Sequence, residues 1–291
     1  MATIALNVLV LGGCRVRQSS KSVLNTQDRV NFEPCGPVGG ANTPGEMLRT
    51  IAFLQRDLVV PPELRLLCQV LRSAAPMEEG RGFGHLDAVL LEFSTPVELV
   101  FRGFFLSLYR FRRQVLSALQ NAGVNKQLVN AWFRALKGFD EEGRAKASIE
   151  LARQLPEDLE QREFIRSAVL ETRSRKADIA KGLEQIRDRL GCQIGIVRYI
   201  FRYMPDGRQV DWPPGFLAEV DDAARQLGVP TYDPTPTLLE FGVDRAFRPD
   251  QEFHYVHELL PIMGADLIGF AESICGAGAI RGSKTDEPVP A

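Results

Sequence analysis

The sequence predicts an α/β fold, a doubly wound parallel sheet carrying a helical insertion. Short apolar runs end in turns instead of continuing as helices, the first being NVLVL at residues 7–11. Stretches of helical periodicity separate these runs, as crossover connections between parallel strands require. One long stretch, residues 100–190, shows helical periodicity and no strand signal.

The first run is followed at once by Gly12-Gly13, so it reads as a buried strand closing in a tight turn. The stretch through Val38-Gly39-Gly40-Ala41-Asn42-Thr43-Pro44 reads as loop. Pro44 suits the first turn of a helix with Thr43 as its cap, and Met47, Leu48, Ile51 and Leu54 repeat at helical spacing. Residues 85–93 form a second apolar run that ends in Ser94-Thr95-Pro96. Within the long stretch, Phe101, Phe104, Phe105, Leu108, Val115 and Leu119 make one stripe, and Leu183, Ile186 and Leu190 another. Typical helix lengths give it about three to five helices. Residues 192–200 carry several β-branched side chains between turns and read as a third strand. An amphipathic helix, Phe216–Leu227, then leads to a short fourth strand at 229–233. A last helix at about 258–274 has Leu259, Leu260, Met263, Leu267 and Phe270 on one face. The expected organisation is an α/β core of residues 1–100 and 191–275, a helical insertion at 101–190, and a flexible tail at 276–291.

The chain has 291 residues, and its 45% hydrophobic content can fill a real core. A formal net charge of -2 gives no reason to expect nucleic acid or an anionic membrane as a partner. No membrane span is expected, because the longest apolar stretches have strand length. The N-terminus lacks a basic region and ends its apolar run in Gly-Gly-Cys, so it reads as a strand and not a signal peptide. A cytoplasmic location follows. Cys14, Cys35, Cys68, Cys192 and Cys275 are odd in number and include no CxxC, which fits free thiols in a reducing compartment.

Ligands of such sheets bind at the carboxyl ends of the strands. Cys14 stands at the first of these ends. A helix starting there would favour the thiolate, and Arg15 would add positive potential. The plain structural alternative is a buried turn cysteine. The glycine pair does not continue into G-x-G-x-x-G, which argues against a dinucleotide site. His254 and His257, two of only three histidines, lie near the C-terminal helix with Asp250 and Glu252 close by. A thiol nucleophile needs a base, and the base an orienting acid. The structural alternative is a polar loop with a helix-capping histidine. A metal would need His254, His257 and Asp250 to converge, and no further ligand is evident. No metal and no cofactor is therefore expected. Arg102, Arg110, Arg112 and Arg113 lie among aromatics, either as a solvated face or as a contact for a phosphate-bearing substrate arm.

A strand ending in Gly12-Gly13-Cys14, with Asp250, His254 and Tyr255 ahead of a helix bearing Met263-Gly264-Ala265-Asp266-Leu267, resembles the SGNH (GDSL-like) hydrolase superfamily. Cysteine in the nucleophile position is similar to its branches with Gly-Ser-Cys or Gly-Asn-Cys, including a group associated with capsular polysaccharide biosynthesis. The likeness covers residues 1–100 and 191–275 and implies a flavodoxin-like sheet. Two features depart from it. The family spaces acid and histidine as D-x-x-H, whereas Asp250 and His254 are four apart. Its third block supplies an oxyanion-hole Asn, whereas this strand ends Glu92-Phe93-Ser94-Thr95-Pro96. The resemblance implies acyl transfer or ester/thioester hydrolysis, with Cys14 as nucleophile, His254 as base and Asp250 fixing the imidazole. Backbone amides of Cys14 and Gly40, with the Asn42 side chain, are the expected oxyanion donors. Gly13, Arg15, Glu92, Ser94 and His257 complete the candidate substrate site. The implied partner is a small-molecule or glycan acyl substrate, with coenzyme A or an acyl carrier as donor, and the insertion would serve as a lid or a homodimer contact. The alternative is a catalytically silent SGNH-like binding protein.

Overall fold

The first apolar run forms β1 (Leu6–Leu11), and the chain turns through Gly12-Gly13 into α1 (Cys14–Ser22). β2 (Val30–Glu33) and α2 (Pro44–Leu54) follow, then β3 (Ala88–Leu91). Next come β4 (Val97–Phe101), β5 (Phe104–Leu106), and α3 (Leu108–Phe111), which runs through a π-helical stretch, Arg112–Leu116, into α4 (Ser117–Asn121). Helices α5 (Lys126–Lys137), α6 (Glu141–Arg153) and α7 (Arg162–Glu171) lead to β6 (Arg173–Lys176), α8 (Ile179–Leu190) and β7 (Gln193–Val197). The remainder comprises β8 (Arg202–Tyr203), β9 (Gln209–Val210), α9 (Phe216–Leu227), β10 (Thr231–Tyr232), α10 (Thr235–Phe241), α11 (Val243–Ala246), β11 (Phe247–Arg248), β12 (Gln251–Tyr255) and α12 (Leu259–Gly282). This computed structural model describes residues 5–24, 26, 28–33, 38–70, 82–200, 202–203, 209–210, 214–248 and 251–282.

Five strands make one parallel sheet in the order β10-β7-β3-β1-β2. Both faces are covered. Leu9, Leu11, Val89, Leu91, Ile194 and Ile196 pack under α2, α8 and α9. The alternate residues Val8, Val10, Ala88 and Leu90 pack under α1 and α12. Burial on both sides explains why the strands read as continuous apolar runs. The predicted doubly wound α/β fold is the observed one. From β1 the chain steps out to β2, then returns to build β3, β7 and β10 on the other side. The winding therefore reverses between β1 and β3, the switch point at which such sheets bind ligands.

The sequence-based expectation for residues 100–190 needs correction, since this stretch holds strands as well as helices. β4, β5 and β6 form an antiparallel sheet in the order β5-β4-β6. Arg102 and Gly103 join β4 to β5, both at positive φ (50° and 80°), as a two-residue hairpin turn with matching twist requires. A separate apolar core, with Phe101, Phe111, Trp132 and Leu151, fills the space between this sheet and α3–α7. α8 does not belong there: Leu183, Ile186 and Leu190 pack on the parallel sheet. Glu98, buried on β4, ties the two parts together. It accepts from the Gly45 N–H at 2.7 Å and from Arg175 Nε at 2.8 Å.

The C-terminal helix is longer than expected, running into the segment read as a flexible tail. Its Leu259–Gly276 stretch is long and apolar enough to cross a membrane by length and composition alone. Here Leu267, Ile268, Ala271 and Ile274 pack on the sheet, and Asp266 accepts from the hydroxyls of Tyr232 (2.6 Å) and Thr237 (2.5 Å). These contacts make it a core helix.

Candidate active site

Cys14 is the first residue of α1 and is exposed. The local sequence explains the turn: Gly13 caps the helix in an extended conformation, and the backbone of the glycine loop packs directly on it. Ala41 N–H donates to Gly12 O at 3.2 Å. A Cβ on Gly40 would come within 3.0 Å of that same Gly12 oxygen and 3.7 Å of Gly13 Cα. Glycine at 40 thus permits two loops to touch beside Cys14.

The carboxyl end of β3 supplies the opposite wall. Glu92 Oε2 accepts from the Gly13 N–H at 2.9 Å. Ser94 donates twice to Asn42, from its N–H to the backbone oxygen (3.1 Å) and from Oγ to Oδ1 (2.9 Å). Gly40, Asn42, Glu92 and Ser94, widely separated in sequence, therefore meet at the turn that precedes Cys14. Asn42 is held from behind by Glu46, whose Oε2 accepts from its N–H at 3.3 Å. Glu46 Oε1, fully buried, has no hydrogen-bond partner.

The electrostatics reverse one expectation. A helix start beside arginines suggests a depressed thiol pKa. Instead burial pushes the Cys14 thiol up, and the Glu92 charge adds to this; Arg17, Arg110 and Arg15 pull it down without winning. The side chain is reachable from solvent, but its protein surroundings disfavour the thiolate. Glu92 is itself pushed up to about 7 by burial, against the pull of Arg15 and the Gly13 N–H. Burial likewise raises Glu46 to about 7, opposed by Arg49 and the Asn42 amides.

Arg15, read from the sequence as a source of positive potential, bears on Cys14 from a buried position. It is buried, donates to the Ile200 carbonyl, and lies against the rings of Tyr199, Phe247 and Tyr255 at 5.0, 4.9 and 5.2 Å. Tyr255 follows His254 on β12, and β12 packs against α1. Arg15 thus links the helix of Cys14 to the hairpin of His254. His254 is half-buried, and His257 is exposed in the turn before α12. Asp250 lies outside the described residues. Among the described residues no group of three or more His, Cys, Asp or Glu side chains is placed to hold a metal ion.

Some participants escaped the sequence reading. Glu46 carries a legible signal, the T-x-x-E capping box formed with Thr43, whose Oγ1 accepts from Glu46 N–H at 3.2 Å. Its carboxylate reaches one residue further back, to Asn42. Arg17 has no motif. Its Nη2 donates to Val38 O at 3.2 Å, which sets its guanidinium beside Gly40.

No protein of curated function matches the chain in sequence. One solved crystal structure is similar at 12% identity with a TM-score of 0.32, over 94% of this chain and 99% of that one. The inhibitor-bound aryl esterase of M. Smegmatis is similar at 12% identity and a TM-score of 0.32, over 93% of this chain and 100% of its own. Likeness this loose carries no argument about activity. The TviD N-terminal domain family matches residues 6–270, which take in the parallel sheet, the insertion and half of α12, and the chain belongs to that family.

Proposed function

We propose that the chain is an SGNH-like acyl-transfer enzyme that uses Cys14 as nucleophile. One observation carries the reading: an exposed cysteine begins a helix at the switch point of the sheet, with the Gly12-Gly13 and Gly40 backbones packed beside it. Because its protein surroundings push the Cys14 thiol up, attack needs a base. His254, on the strand packed against α1, takes the Cys14 proton as sulfur adds to the acyl carbonyl. It returns the proton to the leaving group as the tetrahedral intermediate collapses. Water or an acceptor hydroxyl then attacks the acyl-cysteine, giving up its proton to His254, and the thiol is restored. Asp250 orients the imidazole, and the amides of Cys14 and Gly40 hold the oxyanion. Arg17 and Arg110, whose charges both bear on Cys14, favour an acyl donor with an anionic arm such as coenzyme A or a carrier phosphopantetheine. The insertion, which supplies Arg110, forms one side of the donor path.

The test is intact-mass trapping with activated acyl donors, acyl-coenzyme A among them. Wild type acquires one acyl group, Cys14→Ala none, and Cys14→Ser a slower, more stable ester. A wild type that never acquires the group refutes the reading. The raised thiol favours a second reading, a catalytically silent binding protein, which the same failure would support if the donor still bound.

A further inference from the structure

Glu92 has a role that a simple wall residue would not need. It is only 2% exposed, and its Oε2 supports the peptide immediately before the nucleophile. A Cβ on Gly13 would lie 2.7 Å from that oxygen, so glycine at 13 is what admits the carboxyl. An acidic group there is chemically costly, because acyl transfer by Cys14 builds negative charge twice at this spot, first on sulfur and then on the carbonyl oxygen. A carboxylate opposes both charges, whereas a neutral carboxylic acid opposes neither. Either form accepts the Gly13 N–H, so the turn itself survives the change of charge.

We infer that Glu92 is a positioning residue that tunes Cys14 by its own protonation, holding the Gly13–Cys14 turn in both states but opposing an anion at Cys14 when ionised. The inference rests on the acyl-transfer reading and deepens it. Among the described residues, the groups coupled electrostatically to Glu92 are Arg15 from α1, Tyr199 beyond β7, and Cys14 itself. Arg15 favours the ionised carboxyl. Burial opposes ionisation, which brings the transition close to neutral pH. Glu92 forms no bond to substrate. The proton of Cys14 still travels through His254.

The experiment is the pH dependence of Cys14 alkylation by iodoacetamide, read at the Cys14 peptide of the full chain, for wild type and Glu92→Gln. Gln keeps an acceptor for the Gly13 N–H and cannot ionise. The expected wild-type curve has two inflections, one near neutrality from Glu92 and a higher one from the thiol. Glu92→Gln should lose the first and alkylate about three- to tenfold faster at pH 8, the scale of removing one nearby like charge. Superimposable curves for the two proteins overturn the inference. So does a wild-type curve with a single inflection, a result that needs no variant. Alkylation requires no acyl donor, so the outcome is separate from the fate of the acyl-transfer reading. A shifted curve without an acyl adduct would sink that reading and leave the Glu92–Cys14 coupling standing. An adduct with superimposable curves would do the reverse.

Discussion

Arg15 on α1 and Arg144 in the insertion are each 2% exposed, yet their charges end in different places. Arg144 is clamped by one carboxylate a turn away on the same helix. Its Nε and Nη2 donate to the two oxygens of Glu141 at 2.9 and 2.5 Å, and Nη1 reaches Ser148 Oγ and the Leu170 carbonyl, both at 3.4 Å. Those hydrogen bonds hold the Glu141 carboxyl below the usual carboxylate range. Arg15 instead lies among three aromatic faces, and its charge bears on Glu92 and Cys14, drawing both toward ionisation. A buried cation neutralised by its own helix is scaffold. One whose charge bears on Glu92 and Cys14 acts on the neighbouring site as well.

Truncation should separate the two most sharply. Arg144→Ala removes a filled volume and a set of buried hydrogen bonds, with an expected loss of about 3–4 kcal/mol in denaturant unfolding. The Cys14 alkylation profile of the protein that remains folded should not move. Arg15→Ala should cost a similar amount. It should also raise the titration of both Glu92 and Cys14 and slow acyl-adduct formation at pH 7 by about a hundredfold, since thiolate supply and hairpin placement both suffer. Arg15→Lys sharpens the point: the charge stays while the flat stacking surface goes, so adduct formation falls with little change in the thiol titration. Identical Cys14 titrations in Arg15→Ala and Arg144→Ala would end the distinction.

The pH dependence of stability distinguishes the same two regions. Glu92 and Glu46 have folded-state values of about 7 against 4.5 for the free side chain. The unfolded chain therefore releases protons that the folded chain retains between these values. Stability from each group is complete below pH 4.5 and drains away as pH rises through 7. At 1.36 kcal/mol per pH unit, the loss is on the order of 3 kcal/mol per carboxyl. Glu46→Gln and Glu92→Gln should each flatten this decline when unfolding is followed from pH 5 to 8, whereas Glu141→Gln in the insertion should not. An unchanged wild-type slope in both core variants would show that neither carboxyl is held neutral.

What the residues revealed in advance follows from the range of the forces involved. β1, the capped start of α2 at Thr43-Pro44, and the Phe216–Leu227 helix were legible because apolar runs, caps and periodicity are local. β6, with the sequence RSRK and mostly exposed side chains, has no apolar pattern, and only its pairing with β4 makes it a strand. α1 is polar except at Val16 and is helical where it packs on α12. In the candidate site, strand ends and glycines pointed to Cys14, Gly40, Asn42, Glu92 and Ser94, whose closeness at the Gly12-Gly13 turn is a matter of the fold. The burial of Arg15 was not legible, because its ring partners lie some 180–240 residues further along the chain. Nor was the raised thiol, since desolvation depends on neighbours that only the fold supplies.

The smallest test concerns how well the insertion is insulated. Trp132 is fully buried against Phe111, with ring centres 5.8 Å apart, and its Nε1 donates to Ser148 Oγ at 3.0 Å. Trp132→Phe keeps an aromatic face and loses one donor and some volume. Ser148 Oγ still donates to the Arg144 carbonyl at 2.8 Å and still accepts from Arg144, so no buried hydroxyl is orphaned. The expected loss is about 1–2 kcal/mol, one hydrogen bond plus a small cavity. Cys14 alkylation and acyl trapping should match wild type at every pH. If this variant moved the Cys14 titration, repacking of the insertion core would be reaching the sheet, with Arg110 and the Glu98–Gly45 bond as the available routes. The contrast between Arg15 and Arg144 would then be one of degree, because both arginines would belong to a single coupled unit.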